Sequence, residues 1–330
     1  MGEKTTRREF LRQVAVSGVA LSGIGGIGAA LAEPSEAADL PKGKSRVVAV
    51  TDKSCLNADG DIVVAGVKSM LNKSVQKLTG AKNSGAAWKS LFKPTDIVGV
   101  KINCLFGKNA STHPQVVDAV VAGLVMAGVK TQNIIIWDRG TNDLTKTGYV
   151  INKGGAGPQC YANDAEWGEK YTLGAFDGRL SPILDKITAL VNVPILKHHG
   201  LSGISCALKN HYGSISNPGS CHDDGCNPYL GDISALAPIK DKTRLIVADA
   251  IRPFPDGGPG LKNRQMLWDY HTLLVSKDPV AMDYIGWQII DARRKEIGLK
   301  PVEQPAKWLA SATSRGVGNS DPKRIEYIRI

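Results

Sequence analysis

Short apolar runs alternate with amphipathic stretches along most of this chain of 330 residues. Six runs predict β-strands: Arg46–Thr51, Asp96–Ile102, Asn133–Trp137, Ala189–Leu196, Thr243–Ala248 and Thr272–Val275. Most of these runs are continuously apolar, as is typical of strands that are covered on both faces. We therefore expect an α/β fold with a mainly parallel, doubly wound-like sheet, helices on both faces and long loop excursions.

Helical patterns lie between the predicted strands. The clearest begins at Thr112, a good N-cap residue, has Pro114 near its first turn, and ends at Gly128. A second helix is predicted from about Pro279 to Ile297, and a short third one over Leu201–Tyr212. These helices supply the layers that a mainly parallel sheet requires.

Two stretches interrupt the alternation of strands and helices. Thr145–Gly174 is rich in Gly, Asn and Tyr, and Ser214–Gly231 contains Gly, Pro, Asn and Asp throughout. Loops of this length in compact domains are usually functional or disordered. The second stretch therefore becomes a candidate part of a functional site.

Polar residues follow five of the predicted strands, and Asp138 and Asp249 are among them. In open parallel sheets, ligands bind beyond the carboxyl ends of the strands, so we expect a polar cleft at this edge. The predicted catalytic residues are Lys101, His113 and Lys209, and the predicted ligand-binding residues are Asn103, Arg139, Lys197 and Asn210. Lysine and arginine would hold a small anionic ligand, and a histidine would act as acid or base.

The segment Cys221–Cys226 offers thiol, imidazole and carboxylate groups within six residues. Zinc or iron uses such ligands. The predicted metal ligands are Cys221, His222 and Cys226, together with His198, His199 and His211. The spacing matches neither a zinc finger nor a ferredoxin cluster motif, so the cofactor, a metal ion or an iron–sulfur cluster, stays unspecified. The alternative is a Cys221–Cys226 disulfide in an oxidising compartment.

The amino-acid composition argues against a nucleic-acid-binding protein and against a disulfide scaffold. The formal net charge is +10, but no five like charges follow one another and aromatic residues make up only 6% of the chain. A nucleic-acid-binding protein would show a clustered basic stripe with stacking residues, so we expect no nucleic-acid partner. Six cysteines are too few for a disulfide scaffold of this size. The basic excess fits a solvated surface or a basic cleft for an anion.

The N-terminus resembles a twin-arginine export signal. Arg7 and Arg8 precede the uncharged run Val14–Ala32, which ends in small residues typical of a cleavage site. The resemblance implies transient contact with the twin-arginine (Tat) translocase, export to the periplasm or beyond, and no stable membrane span after cleavage. We expect residues 1–37 to be signal and linker, and residues 38–330 a single α/β domain. The alternative is an uncleaved N-terminal anchor.

Five stretches resemble the prokaryotic family called domain of unknown function 362: Val98–Asn103, Ser111–Pro114, Pro194–His199, Ala207–Gly213 and Asp278–Asp283. The likeness covers roughly residues 95–290, and Lys-Asn-x-x-Gly and Asp-Pro-Val-Ala-x-Asp are its most specific parts. It implies an α/β fold. Some relatives carry ferredoxin-like cluster modules, which implies a loose association with iron–sulfur proteins; this chain has no such module.

Three functional hypotheses follow. The first is an exported, redox-associated metalloprotein in which the Cys221–Cys226 segment closes over the polar cleft. The second is a metal-free enzyme acting on a small anionic substrate. The third is a periplasmic binding protein for such a ligand, with a Cys221–Cys226 disulfide and no chemistry of its own.

Overall fold

An eight-stranded sheet forms the centre of the computed structural model, which describes residues 43–330. The predicted signal segment, residues 1–37, lies outside the described residues. The strands of the described part are β1 (Ser45–Thr51), β2 (Val98–Ile102), β3 (Ile134–Trp137), β4 (Gln159–Cys160), β5 (Lys170–Leu173), β6 (Phe176–Arg179), β7 (Ala189–Val193), β8 (Lys197–His199), β9 (Gly203–Ser205), β10 (Thr243–Ala250), β11 (Thr272–Ser276) and β12 (Ile325–Arg329).

The strand order of the sheet is β12-β1-β11-β10-β7-β2-β3-β4. Its strands run parallel, except that β11 is antiparallel to both of its neighbours. Two antiparallel hairpins, β5–β6 and β8–β9, lie outside the sheet. The mainly parallel α/β fold expected from the sequence is therefore confirmed.

Helices cover both faces of the sheet. They are α1 (Val64–Thr79), α2 (Ser84–Leu91), α3 (Pro114–Met126), α4 (Thr141–Lys146), α5 (Ile183–Lys186), α6 (Ala207–Asn210), α7 (Asp223–Cys226), α8 (Tyr229–Ser234), α9 (Ala237–Lys240), α10 (Pro279–Glu296) and α11 (Gln304–Ser314). No helix within residues 43–330 has the length and apolar character needed to cross a bilayer.

Two hydrophobic cores lie on opposite faces of the sheet. Helices α1, α2 and α3 form one core with Val48 and Val50 of β1, and α10, α11 and several short helices form the other with Val47 and Ala49. Side chains alternate between the faces of a strand, so a strand buried on both faces is apolar at every position. This burial explains the continuous apolar runs in the sequence.

The structure corrects two of the predicted helices. Helix α3 has His113 rather than Thr112 at its N-cap, since the Thr112 hydroxyl donates to the Val193 carbonyl. The helix predicted over Leu201–Tyr212 is wrong: strand β9 occupies its first part, and the single turn α6 follows. That turn begins where the Asp283 carboxylate of α10 accepts the Ala207 N–H at 2.6 Å.

The two irregular stretches also contain regular structure. Thr145–Gly174 includes strand β4, which extends the sheet at its edge, and β5 of the first hairpin. Ser214–Gly231 includes α7 and the first half of α8. Neither stretch is therefore a structureless excursion.

Candidate functional site

Polar side chains meet at the carboxyl ends of β2, β3, β7 and β10. Parallel strands bring these ends to one edge, where backbone groups leave the sheet and side chains can face a ligand. Two environments lie there side by side. One surrounds Lys101 on β2, and the other surrounds Lys197 on β8 and Lys209 on α6.

The Lys101 side chain is fully buried, and its ammonium group donates hydrogen bonds to three acceptors. Its Nζ donates to Asp138 Oδ1 at 2.8 Å, to the Ile102 carbonyl at 2.6 Å and to Asn210 Oδ1 at 3.4 Å. The other carboxylate oxygen of Asp138 accepts the Cys104 N–H at 2.5 Å. A buried ion pair whose remaining donors and acceptors are also bonded stabilises its own charges.

A chain of amides continues from this ion pair. Asn210 Nδ2 donates to the Lys101 carbonyl at 3.1 Å and to Asn192 Oδ1 at 2.7 Å. Asn192 Nδ2 in turn lies 3.2 Å from His211 Nε2 and donates to the Ala207 carbonyl at 2.9 Å. Burial, aided by the Lys101 charge, lowers the pKa of His211 to about 3. His211 is thus a neutral member of a buried network.

Lys197 is 1% exposed and has no ion-pair partner within residues 43–330. Its Nζ donates to the Ala110 carbonyl at 2.5 Å and to Asn103 Oδ1 at 3.4 Å, and lies 5.6 Å from the centre of the Phe106 ring. Burial lowers the pKa of Lys197 to about 7, against the opposing effect of Asp138. Both oxygens of that carboxylate are already bound to the Lys101 side of the site.

Lys209 is 8% exposed and likewise lacks a carboxylate partner in the described part of the chain. Its Nζ lies 3.0 Å from His222 Nε2 and 3.2 Å from the centre of the Tyr212 ring. Burial lowers the pKa of Lys209 to about 7, and the nearby Cys226 and Cys221 oppose this shift. Lys197 and Lys209 are close enough for the charge on Lys209 to depress the pKa of Lys197.

Two more histidines border these lysines. His199 accepts the N–H groups of Leu201 and Ser202 on Nδ1, and its ring stacks on His222 with centroids 5.9 Å apart. Burial, with Lys209 as the next cause, lowers the pKa of His199 to about 2. His198 accepts the Gly258 N–H on Nδ1 at 3.0 Å, and burial lowers its pKa. Both rings are therefore neutral at physiological pH.

His113 forms a dyad with Asp249. Nδ1 of His113 lies 2.7 Å from Asp249 Oδ2, which also accepts the His113 N–H at 2.9 Å. Asp249 is completely buried, whereas the His113 side chain keeps 17% exposure. A carboxylate at Nδ1 fixes the tautomer and leaves the lone pair of Nε2 as a proton acceptor. Sequence analysis proposed His113 but did not assign it this partner.

Arg139 positions a loop. Its guanidinium donates to the Ile215 carbonyl at 3.3 Å and to the Ser216 carbonyl at 2.9 Å, and lies 5.3 Å from the centre of a Trp167 ring. The planar guanidinium group thus donates to two successive backbone carbonyls. Arg139 therefore holds the segment that leads into the Cys221–Cys226 region.

The segment Pro218–Cys226, here named the cover, lies against Lys209. Backbone φ angles are positive at Asp224 (45°), Gly225 (67°) and Cys226 (74°). Left-handed conformations at two non-glycine residues are strained, and an ion pair of 2.6 Å between Lys307 and Asp224 spans from α11 to this turn.

The thiols of the cover are free in this structure, so the alternative Cys221–Cys226 disulfide is not formed. Burial raises the pKa of both Cys221 and Cys226, and the nearby Lys209 opposes this shift. Cys226 lies against the Lys209 amine and the hydroxyls of Tyr212 and Ser202.

The six predicted metal ligands only partly converge. Cys221, His222 and Cys226 lie around Lys209, and His199 stacks on His222, whereas His198 and His211 are bonded elsewhere. Within residues 43–330, no three His, Cys, Asp or Glu side chains come together in a metal-ligand group. A lysine amine occupies the middle of the cluster, where its positive charge would repel a cation.

Two cavities lie elsewhere in the described structure. One of about 50 Å³ reaches His211 and Asn192, and one of about 260 Å³ lies beside β4, next to Tyr161 and Asn163. Neither cavity is lined by Lys197 or Lys209. Both lysines are almost fully buried, and the cover lies against Lys209.

Sequence reasoning missed several partners in this site. Asp138 and Asp249 were visible as strand-end residues, but nothing in the sequence assigns them to Lys101 and His113. Tyr212 gave no signal, because an aromatic residue beside a lysine in sequence says little about a ring contact in space.

Comparisons with known proteins place the chain in a family. The model of the family described as domain of unknown function (DUF362) matches residues 98–288, more than half of the chain and all of the strand ends around Lys101, Lys197 and Lys209. No curated protein matches the chain.

Among solved structures, the chain is similar to the lactate racemase apoprotein from Thermoanaerobacterium thermosaccharolyticum. The two are 14% identical, with a TM-score of 0.36, over 71% of this chain and 55% of that one. The chain thus spans about half the length of that protein. By the family match, the chain belongs to the DUF362 family.

Proposed function

We propose that the protein is an enzyme that binds a small organic anion between Lys197 and Lys209 and moves a proton on it. One observation carries the proposal: two buried amines lie near each other without a carboxylate partner within residues 43–330. A buried charge without a counter-charge is costly. A bound anion supplies that counter-charge, so anion binding and lysine protonation favour each other.

The surroundings favour an anion over a cation. His199, whose Nδ1 accepts two backbone N–H groups, keeps an Nε2–H donor beside the lysines, and the carboxylate that acts on Lys197, Asp138, is bonded to Lys101. A carboxylate or phosphate group accepts hydrogen bonds from several amines and imidazoles at once. The ligand class is therefore a small molecule with one compact anionic group.

Two pairs of side chains are suited to proton transfer. Lys209 with His222 lies inside the cluster, and His113 with Asp249 lies at its edge. A general acid or base works best when its pKa is near the operating pH, and burial brings the pKa of Lys209 to about 7. This feature favours an enzyme over a simple binding protein.

The metal and iron–sulfur hypothesis has weaker support. Cys221, His222 and Cys226 surround a lysine amine rather than an open coordination site, and no metal-ligand group of three side chains forms within residues 43–330. Elemental analysis of anaerobically purified protein, with an absorption spectrum, tests the point. Stoichiometric iron or zinc that is lost on substituting Cys221 and Cys226 with serine would favour the metalloprotein.

We further propose export by the twin-arginine route. Its support is the sequence around Arg7 and Arg8 and the uncharged run that follows. Changing both arginines to lysine is expected to retain the protein in the cytoplasm, as judged by cell fractionation. Unchanged export of this variant would remove the proposal.

Calorimetric titration with propionate tests the anion site. Propionate is expected to bind the protein and to lose its affinity in Lys197→Met. The matched control is Lys130→Met, because Lys130 is exposed and lies outside the site. Equal binding by both variants would contradict the proposal.

A further inference from the structure

We propose that Lys209 is a covalent nucleophile that forms an imine with its substrate, which makes the substrate class small oxo acids, aldehydes or ketones that also carry a carboxylate. This inference rests on the proposed function and deepens it. The anion site holds the carboxylate, and the amine of Lys209 attacks the carbonyl carbon.

The amine of Lys209 lies beside an oriented base. A nucleophile is recognised by a base within hydrogen-bond reach that is itself oriented by a third group. Lys209 Nζ lies 3.0 Å from His222 Nε2, and His222 Nδ1 lies 3.3 Å from the Gly219 carbonyl. Because a carbonyl only accepts, Nδ1 carries the proton, and Nε2 presents its lone pair to Lys209.

The His222 ring is held in place on two sides. It stacks on His199 at an interplanar angle of 15°, and its other contact is the edge-on ring of Tyr212 with centroids 5.2 Å apart. A base whose ring cannot turn keeps its lone pair aimed at the amine. This arrangement distinguishes Lys209 from Lys197, whose Nζ donates to a backbone carbonyl and an amide oxygen.

Lys209 also has no carboxylate partner in the part of the chain that the structure describes, residues 43–330. A lysine that serves only structure is usually paired, as Lys101 is with Asp138 at 2.8 Å. Lys209 instead contacts an imidazole, an aromatic ring and the sulfur of Cys226. Desolvation beside another cationic group is a recognised way to activate a lysine, and Lys197 supplies that second cation.

The step balances without a redox partner. The Lys209 ammonium gives a proton to His222 Nε2, and the free amine adds to the carbonyl carbon, whose C–O π electrons move to oxygen. The resulting carbinolamine takes up protons from the imidazolium and from its own nitrogen, and its hydroxyl leaves as water while the C=N bond forms. One carbonyl and one amine give one imine and one water.

The test is borohydride trapping with two matched probes. Pyruvate carries a carboxylate and a ketone, whereas propionate has the same chain length and charge without the ketone. The intact protein is incubated with pyruvate and sodium borohydride, and the adduct is located by peptide mass mapping. We expect about tenfold more adduct on Lys209 than on any other lysine, no Lys209 adduct in Lys209→Met, and an unchanged result in Lys130→Met.

The outcomes separate the two proposals. If propionate binds but pyruvate leaves no adduct on Lys209, the imine is wrong and the anion site stands. If neither acid binds, the proposed function itself fails. An adduct spread evenly over surface lysines would also overturn the inference.

The rate of trapping in a second variant, His222→Gln, tests the role of the base. In His222→Gln, trapping of pyruvate is expected to slow on the order of 100-fold, because the amine loses its base. The circular dichroism spectrum establishes that this variant is folded. An unchanged trapping rate in folded His222→Gln would show that Lys209 does not react through the His222 pair.

Discussion

Three lysines are buried at the same sheet edge, and they differ in what lies beside the ammonium group. Lys101 is 0% exposed and binds Asp138, a carbonyl and an amide oxygen. Lys197 and Lys209 are 1% and 8% exposed and have no carboxylate partner within residues 43–330. The first environment is complete without a ligand, whereas the second lacks a negative charge. This difference is the basis of our proposal that Lys101 stabilises the fold and that Lys197 and Lys209 bind an anion.

The physical basis of this difference is desolvation. Taking an ammonium out of water costs several kcal/mol, which only a well-placed counter-charge with further hydrogen bonds offsets. Asp138 supplies the counter-charge for Lys101, so both groups stay charged. For Lys197 and Lys209, burial lowers the pKa to about 7 instead. A bound anion would raise both pKa values again, because an opposite charge favours the protonated amine.

The largest expected effect comes from removing one partner of the buried ion pair between Lys101 and Asp138. Lys101→Met leaves the Asp138 charge buried and unpaired, and should lower the free energy of unfolding by about 3–5 kcal/mol. Urea unfolding followed by circular dichroism measures it. The double variant Lys101→Met with Asp138→Leu should recover most of the loss, since both charges are then gone. A loss below about 1 kcal/mol in the single variant would show that the pair contributes little.

The next effect is the pH dependence of stability. Burial lowers the pKa of Lys197 and Lys209 from 10.5 to about 7. Between these values the unfolded chain binds more protons than the folded one, so the free energy of unfolding should rise with pH, by up to about 1.4 kcal/mol per pH unit for each lysine.

Urea titrations at a series of pH values measure this slope. The difference between wild type and Lys197→Met/Lys209→Met isolates the two lysines from thiols and tyrosines that titrate in the same range. A slope identical in both proteins would contradict the unpaired environment.

A smaller effect is expected from removing one unpaired amine. Lys209→Met replaces a buried polar group by an apolar one of similar length, which should raise the free energy of unfolding by about 1–2 kcal/mol. Propionate binding should weaken in the same variant, which calorimetry measures. A loss of stability comparable to that of Lys101→Met would mean that Lys209, like Lys101, stabilises the fold.

Several elements of the fold follow from the sequence, and others depend on distant contacts. Six strands were predicted because burial on both faces makes them apolar throughout. β12 was missed because Ile325–Arg329 alternates with charged residues at the edge of the sheet, and β4 because it contains only two residues. The helix assigned to Leu201–Tyr212 was wrong because its true start depends on Asp283, more than 70 residues away.

The candidate site shows the same limit. From the sequence, Lys101 and Lys209 were predicted to be catalytic and Lys197 to bind the ligand, a division that does not follow the paired and unpaired environments of the structure. Their difference lies in Asp138, which is 37 residues from Lys101 in the chain and bonded to it in space. A pairing of this kind has no local sequence pattern.

The smallest expected effect concerns the cover. Lys307→Met removes an exposed ion pair with Asp224 and should leave the unfolding transition nearly unchanged. The variant should nevertheless speed propionate binding in stopped-flow measurements, because the strained turn is held less firmly. A slower or unchanged rate would indicate that ligands reach the lysines by another path.

The central claim is that Lys197 and Lys209 bind an anion when they are protonated. The pH dependence of propionate affinity tests this claim most directly. Calorimetry at about pH 6 and pH 9 compares protonated with largely neutral amines, since their pKa is about 7. We predict binding at the lower pH, a decrease of at least about tenfold at the higher pH, and no such binding in Lys197→Met. Equal affinity at both pH values, or binding that survives in Lys197→Met, would contradict the account.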